Sequence, residues 1–307
     1  MTKQNWKKLG LIYSVDKISD ALYSHAAVPF VGEIDNKGIA EIYFSARNKN
    51  NQSVLAKIHY DLINFKVAKE ANNPLLYPTE VGRFDSDGVM GCDIYNVGNR
   101  KLLTYIGWNL GLNIPFRNAI GVAEIKGQEV VRLFNGPILD RSIYDPCFVA
   151  SNCVIKKGKI FLMYYLSCIS WNKTENGLMH HYHIKIAESK DGITWESTGK
   201  IAIDFTTEKE YAISVPRVVY EEGTYKMWFS YRGSNKTDTY RIGYAESKDA
   251  FSWNRKDEVV NLDVSESGWD SDMICYPYIF DFDNNRYMLY NGNGYGLSGV
   301  GLAILKK

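Results

Sequence analysis

The sequence predicts an all-β fold, a five-bladed β-propeller with four antiparallel strands per blade. The first observation is a repeated strand that begins at Ile120, Ile184, Ile242 and Val300, with a weaker copy at Leu55. The second is that the residues between these copies carry only strand and turn signals. A near-constant period of this size is typical of an array of similar supersecondary units.

Each repeat begins with a short apolar strand. In three repeats this strand carries a proline near its start, at Pro29, Pro216 and Pro277. Proline lacks an N–H group, so it is tolerated at the first residue of a strand. A polar turn rich in glycine and asparagine follows in each case, which suits a tight hairpin because these residues adopt positive φ. An inner strand followed by a hairpin is therefore predicted.

The second strand of each repeat is rich in aromatic residues, as at 225–229 and 287–290, and the third is the repeated strand itself. Aromatic and β-branched residues favour a pleated, half-buried surface. After two copies of the third strand, the turns 189–195 and 247–253 share the pattern Ser-Lys-Asp-x-x-x-Trp. We interpret them as structural turns in which the aspartate accepts hydrogen bonds from backbone amides.

The last repeat ends at its third strand, so the N-terminus is expected to supply the missing outer strand. Residues 5–12 resemble the outer-strand segment 194–201. A terminal strand in this place would close the ring and cover an open sheet edge. Because the repeats are evenly spread, residues 1–307 are predicted to form a single domain.

Composition excludes several classes of partner. The formal net charge is +1 and there is no long charge run, which argues against nucleic acid or an anionic membrane surface. The sequence has neither an apolar signal core nor an apolar run long enough to span a membrane. We therefore expect a cytoplasmic protein without membrane insertion; its oligomeric state is left open.

No metal or cofactor is expected. The cysteines are odd in number, scattered and without metal-ligand spacing, which favours reduced thiols: Cys92, Cys147, Cys153, Cys168 and Cys275. The glycine-rich segment 292–296 lies in a predicted hairpin with no helix behind it, so it does not indicate dinucleotide binding.

Acidic residues precede the inner strands of four repeats, and His25 takes this place in the first. They are Asp85 and Asp87, Asp145, Glu210, and Asp270 and Asp272. The first strand of each repeat starts at the face of the propeller where the antiparallel second strand ends. The acidic side chains and His25 are therefore expected to converge at the mouth of a central funnel on that face. Paired carboxylates perform glycosidic chemistry, and crowding keeps one of them protonated. The candidate acid, base or nucleophile residues are Asp87, Asp145, Glu210 and Asp272.

A second set of residues is expected at the same mouth and suits the binding of a sugar. Tryptophan stacks on sugar faces, while asparagine and arginine bond hydroxyl groups or anions. Packing of the tryptophans between blades, and pairing of the arginines with rim carboxylates, remain alternatives. The expected substrate-binding residues are His25, Arg47, Trp108, Asn109, Trp171, Arg232, Tyr276, Asn291 and Asn293.

The segment Met179-His180-His181-Tyr182-His183 is a weak candidate for a metal site. Alternation along a strand would place His181 and His183 on one face. No third ligand is evident, so a solvated strand or loop is the expectation here.

Several segments resemble a group of bacterial glycosidase-like proteins. The segments 269–277 and 290–296 resemble the last blade of these proteins, and 117–123, 136–141 and 240–247 fit as well. The resemblance covers nearly the whole chain. It implies kinship with the five-bladed propellers of glycoside hydrolase families 32, 43, 68, 117 and 130, and a carbohydrate or activated-sugar substrate.

The chain departs from these families at the positions of their hydrolytic residues. The arabinanase-like members place an aspartate general base at the start of blade one, where this chain has His25, and only Asp145-Pro146 resembles the fructosidase-like strings. Phosphorylases of this fold combine one acid with histidine and arginine residues that bind phosphate, a pattern that His25, Arg47 and Arg232 fit. Three hypotheses stay open: cleavage or transfer of a glycosidic bond by carboxylates, phosphorolysis or transfer from a nucleotide sugar, and sugar binding without catalysis.

Overall fold

The computed structural model describes residues 3–175, 177–233 and 237–306. Within these ranges the regular structure is β-strand, apart from two short 3₁₀ segments at Asp257–Val259 and Asn293–Gly296. The predicted all-β fold is therefore confirmed. Among the same residues, no helix is long and apolar enough to cross a membrane.

Within the described ranges, the strands form three sheets, one of four strands and two of eight. A single parallel pairing, Ser53 with Gly88 or Tyr182 with Ala212, joins the halves of each larger sheet. The antiparallel pairings alone give five groups, called units 1 to 5 here. Unit 1 consists of β2 (Ser24–Ile34), β3 (Ile39–Arg47), β4 (Ser53–Asp61) and β5 (Lys66–Lys69). Unit 2 consists of β6 (Gly88–Val97), β7 (Arg100–Leu110), β8 (Phe116–Lys126) and β9 (Glu129–Arg132). Unit 3 consists of β10 (Phe148–Lys157), β11 (Ile160–Thr174), β12 (Gly177–Ser189) and β13 (Glu196–Ile203).

The last two units follow the same order of strands. Unit 4 consists of β14 (Ala212–Glu221), β15 (Thr224–Arg232), β16 (Arg241–Ser247) and β17 (Asn254–Arg255). Unit 5 consists of β18 (Cys275–Phe282), β19 (Asn285–Asn291), β20 (Val300–Lys306) and, from the start of the chain, β1 (Lys7–Tyr13). The first strand of each unit contacts the first strand of the next, and β18 contacts β2.

The N-terminal segment occupies the outer position of unit 5. Strand β1 pairs antiparallel with β20, with Lys8 opposite Ala303. Just before β1, the Trp6 side chain is buried in the core that units 4 and 5 share. The Gln4 side chain accepts a hydrogen bond from Trp228 Nε1 at 3.1 Å. The start of the chain therefore packs against the last two units.

The two Ser-Lys-Asp turns have the structural role expected for them. Asp191 Oδ1 accepts hydrogen bonds from the backbone N–H groups of Ile193 and Thr194, at 2.8 and 2.7 Å. These bonds favour the ionised carboxylate, so the pKa of Asp191 falls to about 2. Asp249 makes the equivalent pair of bonds in its own turn, at 2.8 and 2.7 Å.

A buried ion pair crosses the centre of the molecule. Arg217 of β14 donates from Nη1 to Asp93 Oδ1 of β6 at 2.8 Å, although units 2 and 4 are not neighbours. Asp93 Oδ2 also accepts from the Val154 N–H of unit 3 at 2.9 Å. This network therefore joins three first strands in the interior of the fold.

The cysteines are free thiols, as expected. All five lie in the described part of the chain and none forms a disulfide. Burial raises the pKa of Cys92 and Cys153 to about 12, which keeps both protonated at neutral pH. They contribute to the core as small apolar side chains.

Candidate functional site

The first strands of units 1, 4 and 5 carry a strained residue immediately before their proline. Val28, Val215 and Tyr276 have φ values of 50°, 48° and 58°, which are rare for β-branched or bulky residues. The strand register shifts at each of these positions. Each backbone N–H donates to a side chain of the adjacent unit: Asn291 Oδ1 at 2.8 Å, Ser151 Oγ at 3.0 Å and Ser230 Oγ at 2.7 Å. Strain held in place by such bonds is frequent at functional sites.

A cavity of about 550 Å³ lies beside these bulges, at the start of the first strands. This volume is in the usual range for small-molecule sites. All five units contribute to its wall. Five of the nine expected substrate-binding residues line it: His25, Arg47, Trp108, Arg232 and Tyr276.

The cavity wall carries positive charge without a carboxylate. Arg47 and Arg232 both line it, and no aspartate or glutamate of the described residues does so. Within the described ranges, neither arginine forms an ion pair of 4.0 Å or less. The two histidines of the wall, His25 and His180, each lie beside one of these arginines.

Arg47 and His25 form one corner of the cavity. Arg47 Nη1 donates to Asn51 Oδ1 at 2.8 Å, which holds the guanidinium near the turn after β3. His25 Nδ1 lies 2.9 Å from Ser24 Oγ. Burial, and then the charge of Arg47, lower the pKa of His25 to about 4. The imidazole is therefore neutral at neutral pH.

Arg232 forms a second corner, enclosed by aromatic rings. Its Nη1 donates to the Tyr295 hydroxyl at 2.9 Å, and its Cζ lies 5.0 and 4.8 Å from the ring centroids of Tyr211 and Tyr240. Burial opposes the charge of the guanidinium, but the tyrosine hydroxyls, Tyr182 foremost, outweigh it and raise the pKa of Arg232. Its Nε is buried and has no hydrogen-bond partner among the described residues. The arginine thus stays charged and retains a donor.

His180 lies directly against Arg232. Its Nε2 is 3.5 Å from Arg232 Nη2, so this nitrogen faces a donor and the proton belongs on Nδ1. His180 Nδ1 is buried and finds no hydrogen-bond partner in the described part of the chain. Burial, and then the charge of Arg232, lower the pKa of His180 to about 4. The neutral imidazole therefore adds no second positive charge beside the Arg232 guanidinium.

Asp145 is not at the mouth of the cavity, which corrects the expected position. Its carboxylate is fully buried and accepts hydrogen bonds from Ser167, Ser142 and Ser197 Oγ at 2.6, 2.7 and 2.7 Å. These bonds, with Lys185 Nζ at 3.6 Å, outweigh the effect of burial, so the pKa of Asp145 is lowered. Its oxygens are already engaged within unit 3.

Glu210 also lies away from the cavity wall. Its buried carboxylate accepts hydrogen bonds from Arg255 Nη2 at 2.6 Å and Nη1 at 2.8 Å. The Thr206 N–H donates to the same carboxylate at 2.7 Å. Glu210 therefore acts as the counter-ion of an arginine in the outer strand β17.

The other buried carboxylates of this series have the same role. Asp85 pairs with Arg132 of β9 at 2.8 Å, and Asp270 pairs with Lys8 of β1 at 2.7 Å. Tyr290 of β19 also donates to Asp270, at 3.1 Å. An acid before the first strand of a unit thus forms an ion pair with a basic residue of that unit's outer strand. This structural role explains why acids recur at this place in the sequence.

Asp87 and Asp272 flank the cavity without lining it. Asp87 is half-buried, and its Oδ2 accepts from the N–H of Leu110, a residue of the cavity wall, at 2.9 Å. Asp272 is exposed, and its backbone N–H donates to Asn293 Oδ1 at 2.8 Å. Of the four candidate carboxylates, Asp87 is the one bonded directly to the wall.

Asn109 and Trp171 do not line the cavity either. Asn109 Nδ2 points to the Arg83 carbonyl at 3.5 Å, because alternation along β7 places Trp108 on the cavity side. The Trp171 ring packs against His180, with centroids 4.9 Å apart, so it supports the wall from behind. For Trp171 the packing alternative is the one observed.

Asn291 and Asn293 hold backbone in place, which corrects their expected position at the substrate. Asn291 is fully buried; its Nδ2 donates to the carbonyls of Ala26 at 2.7 Å and Gly299 at 2.9 Å, and its Oδ1 accepts from Val28. Asn293 Oδ1 accepts from two backbone N–H groups of the loop before β18. Their amides are therefore occupied by the protein itself.

Strand β12 provides a part of the cavity wall that was not predicted from the sequence. His180 and Tyr182 line the cavity and stack with centroids 4.9 Å apart, and His183 is buried and lies 2.9 Å from Asp204 Oδ1. The segment is a strand, which was one of the two expectations, but it is not solvated throughout, because Tyr182 and His183 are buried. The alternation that grouped His181 with His183 also grouped His180 with Tyr182, and this was the available signal. Among the described residues, no three potential ligands cluster as a metal site.

Comparison of the sequence with known proteins identifies a family. No family model matches it. The chain is 37% identical over 303 residues to "Uncharacterized protein Rv1502" of Mycobacterium tuberculosis (strain ATCC 25618 / H37Rv), covering 98% of this chain and 99% of that protein. This chain belongs to the Rv1502 family. A second similarity, to a 1,2-beta-oligomannan phosphorylase of Thermoanaerobacter sp. (strain X514), is 37% identity over 94 residues, or 30% of this chain and 32% of the phosphorylase.

Solved structures identify the fold of this Rv1502 relative. A glycoside hydrolase superimposes with a TM-score of 0.77 at 16% identity, covering 99% of this chain and 92% of that protein. A structure from the GH130 family of mannoside phosphorylases superimposes with a TM-score of 0.73 at 15% identity, covering 99% and 94%. The fold is that of the glycosidase-like propellers, which confirms the resemblance seen in the sequence.

Proposed function

We propose that this protein is carbohydrate-active and that its central cavity binds a saccharide carrying a phosphate or carboxylate group. The observation that carries the proposal is the presence of Arg47 and Arg232 in a cavity wall without a carboxylate among the described residues. A partly buried charge is costly unless it is paired. An anionic ligand would supply the missing counter-ion.

We further propose that residues 1–307 form a single five-bladed propeller. In it, strand β1 completes the last blade and so closes the ring of blades. Five antiparallel groups among the described strands support it, as does the contact between β18 and β2. In this arrangement Arg47 and Arg232 end the second strands of units 1 and 4, and so face one central space. Guanidinium groups recognise phosphate and carboxylate oxygens in pairs of hydrogen bonds.

The rest of the wall suits the sugar part of such a ligand. Trp108 and Phe116 offer aromatic faces, and Asn118, Ser214 and Tyr276 offer hydrogen-bonding groups. An apolar wall with a few polar groups is typical of small-molecule sites. The relative described as a 1,2-beta-oligomannan phosphorylase supports a saccharide ligand.

For the chemistry, we favour glycosyl transfer or phosphorolysis over hydrolysis by paired carboxylates. Hydrolysis needs two carboxyl groups about 5–10 Å apart across the sugar, and the bonds made by Asp145 and Glu210 count against that role. In phosphorolysis, a phosphate oxygen held by Arg47 and Arg232 attacks the anomeric carbon, the glycosidic C–O bond breaks, and Asp87 gives its proton to the leaving oxygen. In transfer from a sugar phosphate, the phosphate leaves toward the two arginines and Asp87 instead takes the proton of the acceptor hydroxyl. Sugar binding without turnover is the competing function. Product release by the wild type, lost in an Asp87→Asn variant that still binds normally, would exclude it.

A thermal-shift experiment tests the binding proposal. The ligands are inorganic phosphate, glucose 1-phosphate, glucuronate, UDP-glucose and neutral mannose oligosaccharides. Ligand that binds the native state raises the unfolding midpoint. We expect a rise with the anionic ligands for the wild type and loss of that rise in Arg47→Gln and Arg232→Gln.

The control is Arg141→Gln, because Arg141 is exposed and does not line the cavity. It should respond to ligands as the wild type does. A rise with neutral oligosaccharides alone, unchanged in Arg47→Gln, would overturn the proposal. The Arg47 side chain makes hydrogen bonds only to nearby Asn51 among the described residues, so its replacement should fold even if Arg232→Gln does not.

A further inference from the structure

The turn between the second and third strands of unit 2 is unusually apolar. It runs from Leu110 through Leu112 to Pro115, and Leu110 and Leu112 are 68% and 97% exposed. The equivalent turn of unit 1, residues 48–52, contains only Asn, Lys and Gln. The contrast lies between equivalent hairpins of one chain, so an apolar tip is not a general requirement of this fold.

This apolar surface is continuous with the cavity. Leu110 and Pro115 belong to the cavity wall, and Leu112 extends the same turn outward. Tyr295 of unit 5 lines the same cavity, is 42% exposed and bonds Arg232 through its hydroxyl. Leu297, two residues further on, is 55% exposed. Apolar side chains therefore lead outward from a cavity whose wall holds two arginines without an ion-pair partner among the residues that the structure describes.

A ligand that matches both features has an anionic head and an apolar chain. We infer that the protein binds an amphiphilic sugar phosphate, with the phosphate at Arg47 and Arg232 and an alkyl or polyprenyl chain lying across Leu110 and Leu112. This inference rests on the proposed function, because the phosphate site is the same. It adds the class of substrate, a lipid-linked saccharide.

The size and position of the apolar surface favour a chain over a protein partner. The surface is a narrow turn that begins inside a ligand cavity, whereas a stable protein interface buries about 800 Å² on each partner. Covering Leu110 and Leu112 with methylene groups removes apolar area from water, which is favourable for each group buried. The group that covers Leu110 and Leu112 is thus the apolar chain of the same molecule whose phosphate and sugar fill the cavity.

A series of alkyl phosphates tests this inference. Ethyl, butyl, hexyl and octyl phosphate are titrated calorimetrically into the full-length protein, below their critical micelle concentrations, beside inorganic phosphate. We expect affinity to rise by up to about fourfold per methylene while the chain is being buried. Leu112→Ser should flatten this rise and leave the affinity for inorganic phosphate unchanged.

The matched control is Ile143→Ser, because Ile143 is 90% exposed and lies outside the cavity wall. It should leave the whole series unchanged, whereas Arg47→Gln should weaken every member. Equal affinity for inorganic phosphate and octyl phosphate would overturn the lipid inference and leave the proposed function standing. A gain that persists in Leu112→Ser, or tighter binding of UMP than of octyl phosphate, would also overturn it. Absence of binding by any phosphate or sugar phosphate would overturn both.

Discussion

The guanidinium of Arg255 and the carboxylate of Glu210 are joined by two hydrogen bonds, Nη2 to Oε1 at 2.6 Å and Nη1 to Oε2 at 2.8 Å. Their side chains are only 10% and 2% exposed. Asp257 accepts from the same guanidinium at 2.7 Å. An acid held in this way stabilises the chain path before β14, and we do not expect it to exchange protons with a ligand.

Replacing Glu210 therefore tests its role. Glu210→Gln should lower the free energy of unfolding by about 1–3 kcal/mol, because a buried charged hydrogen bond is weakened while Asp257 still balances Arg255. Urea denaturation gives this value, and calorimetry should show unchanged affinity for glucose 1-phosphate. Asp272→Asn, at an exposed side chain, is the control and should stay within about 0.5 kcal/mol of the wild type. Native stability with lost affinity in Glu210→Gln would restore Glu210 as a site residue.

The central pair of Asp93 and Arg217 should be more sensitive to change. Arg217→Met leaves the Asp93 carboxylate, which is 2% exposed, without its counter-ion. Removal of one partner from a buried pair costs about 3–5 kcal/mol. In denaturant titrations, Arg217→Met with Asp93→Asn should be less destabilised than the sum of the single variants, and strictly additive losses would contradict this coupling.

Asn291 offers a test of a residue that the sequence assigned to the substrate. Asn291→Ala removes the acceptor of the Val28 N–H, 2.8 Å away, inside the protein. A buried group left without its partner costs about 1–3 kcal/mol, so the unfolding midpoint should fall. Asn293→Ala, in a partly exposed loop, is expected to have a smaller effect. An unchanged midpoint with reduced sugar affinity in Asn291→Ala would instead make it a ligand contact.

His180 makes stability depend on pH in a defined direction. Its pKa is about 4 in the folded protein, because of burial and then Arg232, against about 6.5 in an unfolded chain. Between these values the unfolded state binds more protons, so stability rises with pH and is lost as the pH falls from about 6.5 towards 4. His25 contributes in the same direction.

The measurement is the unfolding midpoint between pH 4 and pH 8. His180→Gln should reduce the loss of stability on acidification, and saturating phosphate should reduce it as well, because a bound anion favours the protonated imidazole. An NMR titration in which the His180 ring of the ligand-free protein protonates near pH 6.5 would contradict the account.

The fold could be predicted from the sequence because short sequence patterns within each repeat indicate its strands and turns. Pro29, Pro216 and Pro277 mark equivalent first strands, and Arg47 and Arg232 end equivalent second strands. Residues at equivalent repeat positions face the same central space, so the convergence of these two arginines on one cavity could be predicted from sequence.

The buried carboxylates were expected at the funnel mouth because the local sequence does not reveal the basic residues with which they pair. Arg132 and Arg255 belong to outer strands of four and two residues, too short to carry a pattern, and Lys8 comes from the other end of the chain. The buried acids before the inner strands of units 2 to 5, Asp85, Asp145, Glu210 and Asp270, therefore belong to structural ion pairs. His180 was missed because its neighbour Arg232 lies in another unit, and only the folded chain brings the two together.

The most direct test of the central claim is a crystal structure with glucose 1-phosphate. The account predicts phosphate oxygens within about 3 Å of guanidinium nitrogens of Arg47 and Arg232, with the sugar against Trp108 and the Glu210–Arg255 pair intact. A sugar whose glycosidic oxygen contacts Asp145 or Glu210, with both arginines unengaged, would contradict it.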